Sequence, residues 1–167
     1  KKYKQKHFQS SATLTADFGE YTPVLKGLTA KAMFSYDYRA DNNEAFRKEY
    51  YQYAYDEQTG TYKQKVYNES SPSNMRREFY DKSQMLGQFT VNYDRTFNDV
   101  HHVGGVIGWE VQKRNGDNFY AVRDLAFSMP YLLAGVPEGQ IGAMQTGNND
   151  LYEQANEALI GRINYSF

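Results

Sequence analysis

A two-residue periodicity of apolar side chains is the feature that most limits how this chain can fold. Its clearest example runs from Leu28 to Tyr38, where every second residue, beginning with Leu28, is aliphatic or aromatic. The residues between them are polar, with the exception of Met33. Successive side chains of a β-strand point to opposite faces, whereas a helical pattern repeats about every 3.6 residues. The segment is therefore predicted to be a strand with one apolar face and one wet face.

Four other segments repeat this pattern and none of them fits helical spacing. They are Ala12–Phe18, Met85–Tyr93, Val103–Val111 and Leu159–Phe167. The predicted fold class is therefore all-β, as an antiparallel meander.

The connections between the five predicted strands alternate in length. Two are short, Gly19–Gly27 and Asn98–His102, and two are long, Arg39–Ser83 and Arg114–Glu157. Outer-membrane barrels have short periplasmic turns and long extracellular loops, so this alternation favours part of a large transmembrane β-barrel. Within the first long connection, Phe46–Tyr55 and Thr61–Tyr67 flank the turn-forming residues 56–60 and predict a β-hairpin.

Aromatic residues are abundant although the chain is hydrophilic. There are 16 Tyr, 10 Phe and 1 Trp, and the mean hydropathy is −0.81. No segment approaches the roughly 18 consecutive apolar residues of a spanning helix. A barrel strand exposes only alternate residues to lipid, so it tolerates such a low mean. The strand directions place aromatics at both rims, as interfacial belts require: Phe18, Tyr93, Phe97, Tyr165 and Phe167 at one rim, and Tyr36, Tyr38 and Trp109 at the other.

The sequence offers little chemistry. The net charge of −1 argues against nucleic acid as a partner. Cysteine is absent, and His101 and His102 are adjacent, so on a strand they point to opposite faces and cannot easily share one metal ion; both are interpreted as turn residues. No acid or base lies in a catalytic spacing and no phosphate-binding glycine loop is found. We therefore expect no enzyme activity, no metal and no cofactor.

The second long connection supplies the candidate contact residues. Phe119, Tyr120, Phe127 and Tyr131 lie among many Gly and Asn residues, a composition typical of an irregular contact surface. Aromatic faces stack on sugar rings or pack against a partner protein. The four are predicted to contact substrate or a protein lid, and the alternative is that they pack the loop against itself.

Several of these segments, taken in order, resemble the barrel of SusC/RagA-family TonB-dependent outer-membrane transporters. The similar stretches are KGLTAKAMFSYDY, FRKEYYQYAYD, FTVNYDRTF, NDVHHVGGVIGWEVQ and ALIGRINYSF, which begin at Lys26, Phe46, Phe89, Asn98 and Ala158. The likeness spans nearly the whole chain and rests on short strand patterns. The turn Asp99–Val103 departs from it, because family members often have a single His followed by Asn there.

The resemblance implies that residues 1–167 are part of a TonB-dependent receptor barrel of about 22 strands, without its plug domain, in the cell outer membrane. It also implies partners: outer-membrane lipid, a SusD-like lipoprotein lid, TonB through a segment outside this chain, and an oligosaccharide or peptide substrate. Import would be driven by TonB without making or breaking a bond in the substrate.

Two alternatives remain at this point. The terminal pattern that ends on Phe167 also suits a complete small barrel of about eight strands with a structural or adhesive role. A soluble glycan-binding β-sandwich would show the same alternation, with its apolar face against a second sheet.

Overall fold

The computed structural model describes residues 1–67, 70–147 and 149–167. As predicted, the described chain is all-β, with only three short 3₁₀ turns at Phe18–Glu20, Pro23–Leu25 and Leu132–Ala134. The strands are β1 (Lys2–Asp17), β2 (Leu28–Arg47), β3 (Tyr51–Asp56), β4 (Thr61–Val66), β5 (Asn74–Phe97), β6 (His101–Asp124), β7 (Ile141–Ala143) and β8 (Tyr152–Ser166).

Six of the strands form one sheet and two form a separate hairpin. In the large sheet the order is β1-β2-β5-β6, and β6 then pairs with both β7 and β8. The antiparallel β8 pairs with His102–Gly116 of β6, and the antiparallel β7 pairs with Tyr120–Val122 further along. Among the described residues, β3 pairs with β4 and with no other strand. The meander predicted from the sequence is thus confirmed as an antiparallel sheet.

The chain divides into two compact units, and the long strands contribute to both. Unit 1 comprises residues 1–6, 40–81 and 117–151, and unit 2 comprises residues 7–39, 82–116 and 152–167.

The turn between β5 and β6, in unit 2, follows from its residues. Asn98 and Asp99 have positive φ angles of 52° and 55°, and the Val100 amide donates to the Phe97 carbonyl at 3.2 Å. A two-residue hairpin turn with both central residues at positive φ matches the twist of its strands, and Asn and Asp tolerate that conformation best after Gly. The short connection predicted here is confirmed.

The predicted hairpin in unit 1 is confirmed as β3 and β4. The Gly60 amide donates to the Asp56 carbonyl at 2.8 Å, and Gly60 has a φ of 63° that suits glycine. The Asp56 carboxylate accepts from the Gln58 amide at 3.0 Å, so the first strand of the hairpin ends where its side chain closes the turn.

The two long connections are shorter than predicted, because the strands continue into them. β2 runs on to Arg47 and β5 begins at Asn74, while β6 runs on to Asp124 and β8 begins at Tyr152. The part added to β2 carries polar residues on both faces, so no regular alternation of hydropathy marks it. This part of the strand pairs with β5 and is also held by polar side-chain contacts such as Asn43 to Glu78 at 3.3 Å, neither of which side-chain periodicity reveals. Residues 68, 69 and 148 of these connections lie outside the described residues.

The apolar residues of this fold are mostly exposed. Among the hydrophobic residues that the structure describes, only Met75 and Leu125 are buried, and both belong to unit 1. Nearby, the Leu125 amide donates to the Ser73 carbonyl at 2.8 Å, and the Ser73 hydroxyl accepts from the Glu49 amide at 2.8 Å. Hydrogen bonds of the Ser73 carbonyl and hydroxyl therefore help to hold the small buried centre of unit 1.

Within the described ranges, none of the helical turns is long and apolar enough to cross a membrane.

Candidate functional site

The two faces of the sheet in unit 2 form the first candidate site. On one face, the cross-strand pairs Gly105 with Ile163, Ile107 with Gly161, and Trp109 with Leu159 put an apolar residue on β6 or β8 at each level. Ile107 is 65% exposed and Ile163 is 86% exposed. We call this surface the apolar face.

The apolar face continues onto β5 and β2 by the same alternation. A shallow groove of about 570 Å³ runs over it, lined by Val91 and Tyr93 of β5 together with Ile107 and Ile163. Val111 of β6 lies 3.3 Å from the Cβ position of Gly87 of β5, so these residues share the face. Phe34 of β2 is 50% exposed. Large apolar surfaces of this kind mark a place where a protein meets a partner or a membrane.

The opposite surface of unit 2, the polar face, carries polar side chains that contact one another, mostly between strands. His7 of β1 and Asp37 of β2 lie 2.6 Å apart, and Gln88 of β5 donates to Glu110 of β6. The other contacts are Asn156 to Gln112 at 3.5 Å, Arg162 to Asn164 at 3.0 Å and His102 to Asp94 at 3.5 Å. The alternation read from the sequence therefore separates an apolar from a polar surface across all five strands of unit 2.

Aromatic residues cluster on the apolar face near its ends. Near the β5–β6 turn, the Tyr165 hydroxyl lies 2.7 Å from His101 Nδ1, and the Phe167 ring is 6.5 Å from that of Tyr165. Further along the strands, Tyr36 lies beside Phe8 at 6.4 Å, and Trp109 donates to Glu157 at 2.7 Å. The Tyr165 hydroxyl and the Trp109 indole N–H both have a polar partner. This suits amphipathic side chains at a boundary between apolar and aqueous surroundings.

The predicted contact residues Phe119 and Tyr120 lie in β6 and not in a loop. The turn-like composition around them misled the sequence interpretation, since the backbone there pairs with β7. Adjacent strand residues face opposite ways, so the two cannot contact the same ligand. Phe119 is half exposed, whereas the Tyr120 ring is covered by the Arg76 guanidinium at 4.0 Å.

Phe127 and Tyr131 do lie in the connection that follows β6, and both are exposed. Tyr131 lines a cleft of about 730 Å³ in unit 1, together with Met75, Arg77 and Leu133. Two of the four predicted contact residues therefore lie in β6, and the other two lie in the connection that follows it.

A polar network around Tyr120 in unit 1 was missed by the sequence interpretation. Arg76 Nε donates to Glu78 at 2.6 Å, Gln145 donates to the same carboxylate at 3.5 Å, and Asn43 donates to it at 3.3 Å. Burial raises the pKa of nearby Tyr80, and the Glu78 carboxylate raises it further. Alternation continued along β5 as far as Arg76 would have put Arg76, Glu78 and Tyr80 on one face.

Asn118 fixes the connection before β8 against β6. Its buried side chain donates to the carbonyls of Gln145 at 2.8 Å and Asp150 at 3.0 Å. It also accepts from the Gln145 amide at 2.6 Å. One side chain therefore satisfies three backbone groups of Gln145 and Asp150, which lie outside the strands, and holds both residues against β6.

In the described part of the chain, no group of three or more His, Asp or Glu residues is placed to hold a metal ion. His101 contacts Tyr165 on the apolar face, whereas His102 lies 3.3 Å from Thr96 on the polar face, so the two point apart as expected from adjacent strand positions. Both are strand residues, because β6 begins at His101, and the interpretation of them as turn residues is wrong.

No protein-family model matches this chain, and no curated protein matches it either.

Proposed function

We propose that this chain is a segment of the wall of an outer-membrane β-barrel transporter of the SusC/RagA TonB-dependent type. The observation that carries the proposal is the pair of surfaces in unit 2: an exposed apolar face and a polar face of hydrogen-bonded side chains on the same strands. In the wall of a wide barrel the outer face meets lipid and the inner face lines a wet interior.

The dimensions of the apolar face suit a bilayer. From Leu28 to Tyr38 there are ten residue steps along β2. At about 3.3 Å per step and a tilt of about 40°, they span about 25 Å along the membrane normal, which is the height of the apolar band of outer-membrane barrels. The aromatic residues Tyr165 and Phe167 would then lie at one interface, and Tyr36 and Tyr38 at the other.

A soluble sandwich is less well supported. Two packed sheets bury their inner faces against each other, whereas Phe34, Ile107 and Ile163 of the apolar face are at least half exposed. The type of transporter is supported by the resemblance of the strand segments to the SusC/RagA barrel.

In the proposed transporter, the polar face lines the passage and the long connections face the cell exterior. The substrate is an oligosaccharide or a peptide, a SusD-like lipoprotein closes the outer entrance, and TonB drives import through a segment outside this chain. The side chains here bind and guide the substrate, and no bond in it is made or broken. Asn118 keeps one outer connection in place during passage.

Lipid contact can be tested with single cysteines, because the chain has none of its own. Ile163 and Ile160 are a matched pair, since both are exposed isoleucines of β8 but they lie on opposite faces. A bimane label at Ile163→Cys in the full-length protein should be quenched strongly by brominated lipids in vesicles. The label at Ile160→Cys should be quenched weakly. Equal quenching of the two labels would contradict the proposed arrangement of the faces.

Transport is tested separately by uptake in cells. Deleting the gene should abolish growth on one class of oligosaccharide or peptide, and uptake should require both TonB and the proton gradient. Uptake that continues in cells without TonB would rule out the TonB-dependent class of transporter. It would not contradict the proposal that the apolar face meets lipid.

A further inference from the structure

The β3–β4 hairpin of unit 1 has two faces of different character. Residues that pair across a hairpin share a face. One face carries six exposed and uncharged side chains, four of which are tyrosines: Tyr51, Tyr53, Tyr55, Tyr62, Gln64 and Val66. We call this surface the tyrosine face. Tyr53 is 66% exposed and Tyr62 is 71% exposed.

The opposite face of the hairpin carries its charged residues. Asp56, Lys63 and Lys65 lie there, and the Lys63 ammonium pairs with the Asp56 carboxylate. The hairpin therefore presents its charges on one side and an uncharged aromatic surface on the other. Exposed apolar surfaces that border polar residues mark places where a protein contacts a ligand or a partner.

Three of the four tyrosine rings have a contact that orients them. The Tyr51 hydroxyl donates to the Glu49 carboxylate at 2.5 Å. Near the turn, the Tyr55 and Tyr62 rings lie 5.3 Å apart with an angle of 59° between their planes, which is a favoured geometry for aromatic pairs. Rings that are already oriented lose little conformational freedom when a ligand binds.

A buried serine joins the base of the hairpin to the rest of unit 1. The Ser70 hydroxyl donates to the Tyr50 carbonyl at 3.1 Å and accepts from the Tyr50 amide at 3.3 Å. The Tyr50 and Tyr67 rings stack at 4.9 Å. Because an isolated two-stranded hairpin is only marginally stable in water, these contacts help to keep the tyrosine face in one arrangement.

The tyrosine face is long and narrow. Each strand of the hairpin has six residues, so the face is about 20 Å long and about 10 Å wide, or about 200 Å² in area. A stable protein interface covers about 800 Å² on each partner. The shape of the face therefore suits a linear chain of small rings better than a folded protein.

We infer that the tyrosine face binds a neutral oligosaccharide. The inference rests on the proposed function, which places the long connections, and this hairpin with them, at the cell exterior. Sugar rings pack their C–H groups on aromatic faces. The tyrosine hydroxyls and the Gln64 amide exchange hydrogen bonds with the sugar hydroxyls around those rings.

Charge makes the site selective for a neutral saccharide. The Glu49 carboxylate at one end of the tyrosine face accepts hydrogen bonds from hydroxyl groups and repels anions. The lysines of the hairpin lie on the opposite face. An acidic sugar therefore has no cation of the hairpin to pair with on the tyrosine face.

Calorimetry on the full-length protein in detergent tests this inference. The probes are neutral hexasaccharides of α-linked glucose, β-linked glucose, β-linked mannose and β-linked xylose, with hexagalacturonate as the acidic counterpart. At least one neutral hexasaccharide should bind, and it should bind at least about tenfold more tightly than hexagalacturonate.

Variants then locate the binding surface. Tyr53→Ala and Tyr62→Ala should each weaken the binding of that hexasaccharide about fivefold, as expected for the loss of one packed aromatic ring. Tyr53→Trp keeps a flat ring and should bind at least as tightly as the native protein. Two controls should leave the affinity unchanged: Tyr21→Ala, which removes an exposed tyrosine outside the hairpin, and Lys65→Ala on the opposite face of the hairpin.

Three results would overturn the inference: no binding of any of the four neutral hexasaccharides, equally tight binding of hexagalacturonate, or equal losses of affinity in Tyr53→Ala and Tyr21→Ala. If no hexasaccharide binds and a photocrosslinker at position 53 captures a second outer-membrane protein in cells, the face belongs to a protein partner instead. Each of these results can occur while a label at Ile163 is quenched by lipid and a label at Ile160 is not. In that case the proposed membrane wall stands and only the saccharide site fails.

Discussion

Placing a lysine at Ile107 distinguishes a lipid-facing from a water-facing apolar surface by the size of its effect. Ile107 is the middle residue of the apolar run from Val103 to Val111 on β6 and pairs with Gly161, and its side chain is 65% exposed. If the apolar face meets hydrocarbon, Ile107→Lys brings an ammonium group to the depth of the bilayer interior. On the lipid face of an outer-membrane barrel, this costs about 2–4 kcal/mol near the midplane.

The same substitution in water has a much smaller effect, because exposed positions usually change stability by about 0.5 kcal/mol or less. The two environments thus differ by a factor of at least about four in the expected loss. Thr90→Lys is a control at nearly the same depth. The Thr90 methyl carbon lies 3.3 Å from the Cβ position of Gly108, the residue after Ile107, and belongs to the polar face.

The assay is guanidinium unfolding of the full-length protein in lipid vesicles, followed by tryptophan fluorescence. Ile107→Lys should lower the free energy of unfolding by about 2–4 kcal/mol and Thr90→Lys by less than about 1 kcal/mol. A loss below about 1 kcal/mol for Ile107→Lys, or equal losses for the two variants, would refute the assignment of the apolar face to lipid.

Three further predictions concern stability. Asn118→Ala removes three hydrogen bonds. It should raise the amide exchange rates of residues 144–147 and 149–151 by about 30-fold or more, equivalent to at least about 2 kcal/mol of local stability. Unchanged exchange rates would show that other contacts hold these residues. The Lys63 ammonium and the Gln58 amide lower the pKa of Asp56. The contribution of its carboxylate to the stability of the β3–β4 hairpin is therefore present above about pH 4 and is lost as the pH falls through the lowered pKa. NMR shifts of the hairpin should follow this titration, and Asp56→Asn should abolish it. In thermal unfolding, Gly27→Ala should destabilise the protein by more than about 2 kcal/mol, because Gly27 has a φ of +88° and a Cβ there would lie 2.0 Å from a backbone oxygen. Gly161→Ala is the control and should have little effect, because there is open space around Gly161.

The sequence predicted the parts of the fold in which side chains alternate in hydropathy. In β2 the apolar residues from Leu28 to Tyr38 repeat every second position, so both the strand and its faces were predictable. From Arg39 to Arg47 the strand has polar residues on both faces, and β7 is only three residues long. Neither has a periodicity that could be detected, since each is defined by its pairing with a neighbouring strand.

The candidate sites were harder to predict for a related reason. Residues 115–118, Asn-Gly-Asp-Asn, have the composition of a turn, and that composition moved Phe119 and Tyr120 into a predicted loop. In the structure, Gly116 is a strand residue whose missing side chain makes room for Tyr152, which is 36 positions later in the chain. A glycine that accommodates a distant ring and a glycine that forms a turn look the same in the sequence.

The pairing of β8 with β6 determines where the sequence of this protein can vary. Fifteen cross-strand pairs fix β8 to β6 between His102 and Gly116, and the residues of β6 beyond them pair with the short β7 instead. The register between β6 and β8 is therefore set by these pairs and not by the length of the segment that joins the two strands. Residues can be inserted or exchanged in the exposed parts of that segment without shifting β8, so natural variation can reshape this surface while the pairing of β6 with β8 stays the same.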